Sequence, residues 1–338
     1  AGTVNITDSV ADATGFAESS AVTLAGTGAT APVTGVTLSG GGASGALTTA
    51  AFTLAGTTNV NLASIDASGL ASTLDISGVT TAAGSAITLG SGNDKITIAP
   101  ADLALDAIVL NAGDGTDTVV TVNVDAAAAL DLRPGLTSVE ALDITTVAGG
   151  NGANTITYNM TDSTGLATVT LTVAGDDNVA ISKASGTIAL KLDGNQAAAS
   201  NSISLPDATG LNVTNTAAVG NTQVSDLTAA KATTLSIKNA HASNIAFDAV
   251  TVAKATDITL GGGGKAGTIA IATLSGAAAT TLTIDSSDGT VTIPTLTANK
   301  LTTLNISGDN AVSVGATAAT TAALKTVSYT HLTLPTKG

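Results

Sequence analysis

Residues 90–97 read Gly90-Ser91-Gly92-Asn93-Asp94-Lys95-Ile96-Thr97, and residues 113–120 read Gly113-Asp114-Gly115-Thr116-Asp117-Thr118-Val119-Val120. Both fit Gly-x-Gly-x-Asp-x-(apolar)-x, the last eight positions of the nonapeptide calcium repeat. A third copy, Gly149-Gly150-Asn151-Gly152-Ala153-Asn154-Thr155-Ile156-Thr157, has both leading glycines but Asn154 in place of Asp. Each residue type has a chemical reason. Glycine permits positive φ, so a tight turn can point carbonyl oxygens at an ion. Aspartate supplies a hard anionic oxygen, the donor that Ca²⁺ takes. The apolar residue two positions later starts a strand and ties the turn to a core. The candidate calcium set is therefore Gly90, Gly92, Asp94, Gly113, Asp114, Gly115 and Asp117, with Asn151 and Asn154 from the third copy. Asp176-Asp177-Asn178 and Asp309-Asn310 carry similar side chains without the full glycine pattern.

Asp94 and Asp117 are 23 residues apart, as are Gly90 and Gly113. If the chain winds in coils of that length, the two carboxylates stack one above the other. At about 5 Å they repel by about 3 kcal/mol at an effective dielectric near 20. A bound Ca²⁺ removes that cost and stabilises the coils by mass action.

The elements that would position these residues are legible as short period-2 runs, the signature of half-buried strands. They include Val22 to Leu24, Val36 to Leu38, Leu74 to Ile76, Ile96 to Ile98, Val119 to Val124 and Leu142 to Ile144. They continue at Val169 to Val173, Ile188 to Leu192, Leu211 to Val213, Leu235 to Ile237, Ile258 to Leu260, Leu282 to Ile284 and Leu304 to Ile306. From Leu211 onward the first residues are spaced by 24, 23, 24 and 22. Thr233-Thr234-Leu235-Ser236-Ile237, Thr280-Thr281-Leu282-Thr283-Ile284 and Thr302-Thr303-Leu304-Asn305-Ile306 are variants of one phrase. A unit near 23 residues predicts an all-β parallel β-helix (β-solenoid), whose coils have no core of their own and bury aliphatic side chains by stacking. Residues 74–327 leave room for about eleven coils.

Composition agrees. The 338 residues are 44% hydrophobic, yet contain three Phe, two Tyr and no Trp, alongside 37 Gly. A thin lumen between close sheets is filled by Val, Ile, Leu and Ala. Immunoglobulin-like sandwiches would need units near 100 residues and a core Trp or corner Tyr.

Before residue 60 the spacing contracts, with only 14 residues from Val22 to Val36, and Gly40-Gly41-Gly42 interrupts the pattern. Residues 1–60 are expected to be an irregular β-rich segment, and 61–327 the solenoid. Residues 328–338 (Ser328 to Gly338) depart in composition and resemble translated sequencing-adapter read-through, so they read as a non-native tail. The chain starts at Ala1 with no signal peptide, which reads as a fragment or as a protein exported by a signal elsewhere.

The formal charge is −14, from 25 acids against 11 bases, which disfavours nucleic acid and anionic membrane surfaces as partners. Only Glu18 and Glu140 of the acids are Glu; the remainder are Asp, a residue of turns and calcium loops. There is no Cys, which excludes disulfides and Cys-based zinc sites. No run of 18 apolar residues suggests a membrane span, so no membrane insertion is expected.

Other signals are weaker. Gly40-x-Gly42-x-x-Gly45 and Gly262-x-Gly264-x-x-Gly267 match a dinucleotide fingerprint, but strand-like rather than helical segments follow. His241 lies in a polar turn, and Arg133 is the sole arginine, so neither a triad nor a polysaccharide-lyase site is assembled. No enzyme is expected. Threonine columns could order water, although threonine is also simply a good polar strand former.

The Gly-x-Gly-x-Asp turns, the phrase Leu136-Thr137-Ser138-Val139-Glu140-Ala141-Leu142-Asp143-Ile144 and the Thr-Thr-Leu-x-Ile coils together resemble the calcium-dependent S-layer proteins of Gram-negative bacteria, related to the repeats-in-toxin group. The resemblance covers most of the chain. It implies export without a cleaved N-terminal signal, calcium-driven folding outside the cell, and self-association into a surface lattice, with cell-surface polysaccharide as a further partner. The alternative it leaves open is a calcium-dependent adhesin or a passenger domain of the repeats-in-toxin type. One departure stands beside it: a calcium roll repeats its nonapeptide every nine residues, whereas these turns recur every 23.

Overall fold

A run that alternates one aliphatic with one hydroxylated residue can bury only one face, and stacking such runs in register buries that face continuously. The computed structural model shows this arrangement: a β-solenoid of parallel strands with coils of about 23 residues. It describes residues 2–7, 20–24, 33–40, 51–56, 60–70, 73–78, 81–91, 93–103, 108–124, 130–132, 135–146, 155–172, 178–193, 201–216, 221–262, 264, 267–317, 320 and 323–330. Gly92, Asn151, Asn154, Asp176 and Asp177 lie outside the described residues, as do Arg133 and residues 331–338.

The chain divides into two compact units. The first comprises Ala1–Val124, Asp131–Thr145 and Tyr158–Leu166. One of its sheets runs Gly2–Thr7, Val33–Gly40, Val60–Leu70, Thr81–Thr88, Ile108–Asn111 and Gly135–Thr137. The other runs Ser20–Leu24, Ala51–Gly56, Thr73–Gly78, Lys95–Ile98, Thr118–Val124 and Ala141–Thr146. The chain alternates between the two, so the 14-residue step from Val22 to Val36 is a passage between sheets and not a shortened coil. Strands before residue 60 already pair in parallel. Their coils are longer, with Val4 opposite Val36 (32 residues on), and their registers slip between Val33 and Gly35 and between Thr37 and Ser39. The segment expected to be irregular is thus built of rungs whose circumference has not settled. From Leu74 to Ile96 the step is 22, and from Ile96 to Val119 it is 23. The lumen holds Ile96, Ile98, Leu110, Val119, Leu136 and Leu142, all fully buried. Tyr158 is buried with them, its hydroxyl within 3.2 Å of Thr121 Oγ1.

The second unit comprises Asp125–Leu130, Thr146–Thr157 and Ala167–Gly338. One sheet runs Thr168–Thr172, Thr187–Asp193, Gly210–Asn215, Thr234–Asn239, Asp257–Gly261, Thr281–Asp285, Thr303–Ser307 and Thr326–Thr330. The register stacks Leu211, Leu235, Ile258, Leu282 and Leu304 in one column and Val213, Ile237, Leu260, Ile284 and Ile306 in the next. Burying each of these side chains as far as Leu282 and Ile284 contributes about 1.5–3 kcal/mol; Leu304 and Ile306 are only half-buried. The opposing sheet contains Asn178–Ser182, Ser202–Ser204, Thr222–Thr228, Ile245–Thr251, Ile269–Ser275, Val291–Thr297 and Val312–Ala316.

Corners repeat as faithfully as strands. A backbone bond from residue i+3 to residue i closes the same turn in five coils: Ala208 to Leu205, Ala232 to Ala229, Ala255 to Val252, Ala279 to Gly276 and Leu301 to Ala298. The residue after each corner is Thr209, Thr233, Thr256, Thr280 or Thr302. The Thr233, Thr280 and Thr302 hydroxyls donate to the preceding coil's carbonyl at 3.0–3.2 Å. This is the physical content of the repeated Thr-Thr-Leu phrase.

Ser328, Tyr329 and Thr330 complete the strand Thr326–Thr330, which pairs with Thr303–Ser307. Val327 and Tyr329 occupy the inward register opposite Leu304 and Ile306, yet are 59% and 49% exposed. Among the described residues no helix is long and apolar enough to cross a membrane.

Candidate metal centre

Asp94 and Asp117 each precede a strand, and those strands pair with Lys95 opposite Thr118 and Ile96 opposite Val119. Parallel pairing at a 23-residue step therefore places the two turns on consecutive coils. Ser91 and Asp114 form a parallel bridge at the start of the turns. Asn93 Oδ1 accepts the N–H of Thr116 at 2.9 Å, and Asp94 O accepts that of Thr118 at 2.8 Å. In the opposite direction Asp117 Oδ1 accepts the N–H of Asp94 at 2.7 Å. The stacking expected from the spacing is present, and it is held by a side chain as well as by the sheet.

The glycines divide their work. Gly113 has φ +90° and Gly115 φ +143°, backbone that favours glycine. A Cβ on Gly113 would collide with the Gly90 carbonyl oxygen. Gly90 itself lacks a positive φ; its constraint is close approach, since a Cβ there would lie 2.9 Å from Ser68 O. Glycine thus lets each turn seat on a carbonyl of the coil before it.

The carboxylates are placed at an electrostatic cost. Asp117 is 1% exposed, and its Oδ2 is buried with no hydrogen-bond partner. Asp94 Oδ2 is likewise buried and unpartnered. Desolvation raises the pKa of Asp94, opposed in part by a backbone hydrogen bond from Gly90. Desolvation also raises that of Asp117. The Asp94 N–H pulls it down, while the negative charges of Asp94, Glu140 and Asp114 push it up. Asp114 is exposed at the rim of the turn.

These donors are oxygens only, with no imidazole or thiolate among them, which suits a hard cation such as Ca²⁺ and not Zn²⁺. Two buried orphan carboxylate oxygens fit such an ion, as each needs a cation or a proton. Among the described residues no group of three or more His, Cys, Asp or Glu converges to hold a metal. An ion here would take two carboxylates at a time and complete its shell with carbonyl oxygens and water, within the six to eight ligands Ca²⁺ accepts.

Two described residues from the weaker candidate segments have partners of their own. Asn310 uses its Nδ2 to donate to Ser286 O and Ser287 O, and Asn178 Oδ1 accepts from Ser202 N, both as coil-to-coil staples. In the Gly262-x-Gly264 loop the Gly264 N–H is taken by Asp288 Oδ2 at 2.7 Å, the role a phosphate would fill in a nucleotide loop. The motif reading missed Glu140: its Oε2 accepts the Asp117 N–H at 2.8 Å. The signal was available, because 140 is 23 beyond 117.

Comparison with family models, curated proteins and solved structures found no match to this chain.

Proposed function

We propose that this chain is a non-enzymatic structural protein of a bacterial cell surface, stabilised by calcium bound at the Asp94 and Asp117 turns and built to associate with copies of itself in an S-layer lattice. The observation that carries the reading is the pair of orphaned, buried carboxylate oxygens stacked 23 residues apart. Unliganded at neutral pH, that pair costs the fold free energy; with a divalent cation between the coils it becomes a clamp. A folded state that depends on calcium suits a protein that assembles where calcium is plentiful, outside the cell. The acid-rich, cysteine-free and aromatic-poor composition supports the same reading, as does a repeat whose recurring aliphatic columns and threonine corners serve stacking.

Electron microscopy of the purified chain with and without millimolar CaCl₂ tests the assembly. Ordered sheets appearing with calcium support the lattice. Isolated particles that bind glycans or cells only when calcium-loaded would instead make it an adhesin. Calorimetry that detects no calcium binding tighter than millimolar would remove the metal from the account.

A further inference from the structure

The carboxylate column does not end at Asp117. Glu140 stands a further 23 residues along, and the two steps of the column are built alike: Asp117 Oδ1 takes the N–H of Asp94 at 2.7 Å, and Glu140 Oε2 takes the N–H of Asp117 at 2.8 Å. Each acid spends one oxygen on the backbone of the acid before it. Asp117 O in turn accepts the N–H groups of Glu140 at 3.1 Å and Ala141 at 2.9 Å, so the second step is clamped as the first is.

Asp117 is the middle member and the most buried, and its Oδ2 has no hydrogen-bond partner. Negative charge faces it from both sides, from Asp94 and from Glu140, with Asp114 as a third neighbour. Among the described residues none of these four acids is paired with a lysine, arginine or histidine. One divalent cation between Asp94 and Asp117 would balance that pair and leave the charge of Glu140 uncompensated next to it. We propose that Glu140 forms the far wall of a second divalent-cation position, one coil beyond the first, with Asp117 bridging the two ions. This rests on reading the column as a calcium site. It adds a ligand outside any Gly-x-Gly-x-Asp motif and assigns two ions to this column.

The test is isothermal titration of the full chain with CaCl₂, counting ions for the parent and for Asp94→Asn, Asp117→Asn, Glu140→Gln and Glu140→Ala, with circular dichroism confirming the fold. Glu140→Gln keeps an oxygen for the Asp117 N–H and removes only the charge. The expected losses are one ion for Asp94→Asn, one for each Glu140 variant and two for Asp117→Asn. If Glu140→Ala loses an ion and Glu140→Gln does not, Glu140 only holds the backbone of Asp117, and the second position is overturned. It is also overturned if both Glu140 variants bind as the parent does while Asp117→Asn loses calcium; the calcium reading then survives alone. A parent chain that binds no calcium overturns both.

Discussion

Asp117 caps the backbone N–H of Asp94 with one carboxylate oxygen and buries the other with no partner. The first oxygen fixes which coil lies on which. The second makes that register sensitive to whatever neutralises it. A solenoid gains specificity of register in this way, because a slip of one residue would detach Asp117 and Glu140 from the N–H groups they cap.

Asp117→Asn separates the two roles. The amide oxygen keeps the cap, and the buried negative charge disappears. In EDTA the variant is expected to be more stable than the parent, by about 1 kcal/mol or more, since a buried uncompensated charge costs more than a neutral amide. In calcium the order reverses, because the parent gains binding free energy and the variant does not. Thermal melts of both proteins in EDTA and in CaCl₂ check this. A variant less stable than the parent in both buffers would show that the charge is not the liability argued here.

The pH dependence follows from the same pair with a definite sign. Both folded-state pKa values lie above the ordinary 3.8, mainly through desolvation. The folded state therefore holds protons that the unfolded chain releases. The resulting stability is fully present below 3.8 and is lost as pH rises through the raised values. Asp207 has the opposite sign: the hydrogen bond from Lys231 leads in holding it low, so its small contribution is present above 3.8 and lost as pH falls through its depressed value. The stability of the parent in EDTA should thus fall above pH 3.8 relative to an Asp94→Asn/Asp117→Asn double variant. Saturating calcium should flatten the difference. Parallel pH profiles in EDTA would contradict the assignment.

How much of this was readable from the residues depends on which sheet is considered. Of the period-2 runs picked out in the sequence, all but Val36 to Leu38 belong to a single column of strands in each unit, the one carrying Leu211, Leu235 and Ile258 or Ile96 and Val119. Alternation survives along those strands, as in Thr168–Thr172 and Thr281–Asp285. In the second unit's opposing sheet, Thr222–Thr228, Ile245–Thr251, Ile269–Ser275 and Val291–Thr297 break step. In Ile245–Thr251 the buried residues are Ile245, Phe247 and Val250, a step of two and then three, and Ile269–Ser275 repeats it with Ile271 and Leu274. A window tuned to period 2 cannot see a strand whose inward step changes from two to three. The stacked turns of Asp94 and Asp117 were legible, because glycine and aspartate mark them. Glu140 was not, since its turn has Ser138 at φ +56° where the others have glycine, so only the 23-residue step points to it.

Gly113 and Gly84 offer a paired test of what glycine does in the first unit. Both have positive φ, +90° and +75°. A Cβ on Gly84 meets nothing within 4 Å, whereas one on Gly113 runs into the Gly90 carbonyl. Gly84→Ala should therefore cost only the backbone strain, about 1 kcal/mol. Gly113→Ala adds a clash that the preceding coil must absorb, for about 2–5 kcal/mol in total. Urea denaturation of the two variants checks the ordering. Equal losses would mean that the coils can part at Gly113 without penalty, and the tight seating of turn on turn would have to be abandoned.

The second unit carries its own buried polar column, uncharged, and it should respond to mutation without touching the metal. Asn239 is 3% exposed and bonded through both polar atoms: its Nδ2 donates to Ser243 O at 2.7 Å, and its Oδ1 accepts from Asn215 Nδ2 at 3.0 Å and from the His241 N–H at 3.2 Å. Asn215 Oδ1 accepts in turn from Thr222 Oγ1 at 2.9 Å. Asn239→Ala removes a donor and an acceptor from a site with little water, so it should cost about 2–4 kcal/mol. Asn239→Asp keeps the acceptor, loses the donation to Ser243 O and buries a charge, so it should cost more. Hydrogen exchange should show faster opening of the strands Gly210–Asn215 and Thr234–Asn239. The calcium titration of either variant should match the parent, because every ligand assigned here lies in the first unit. A changed calcium stoichiometry would place part of the binding in the second unit.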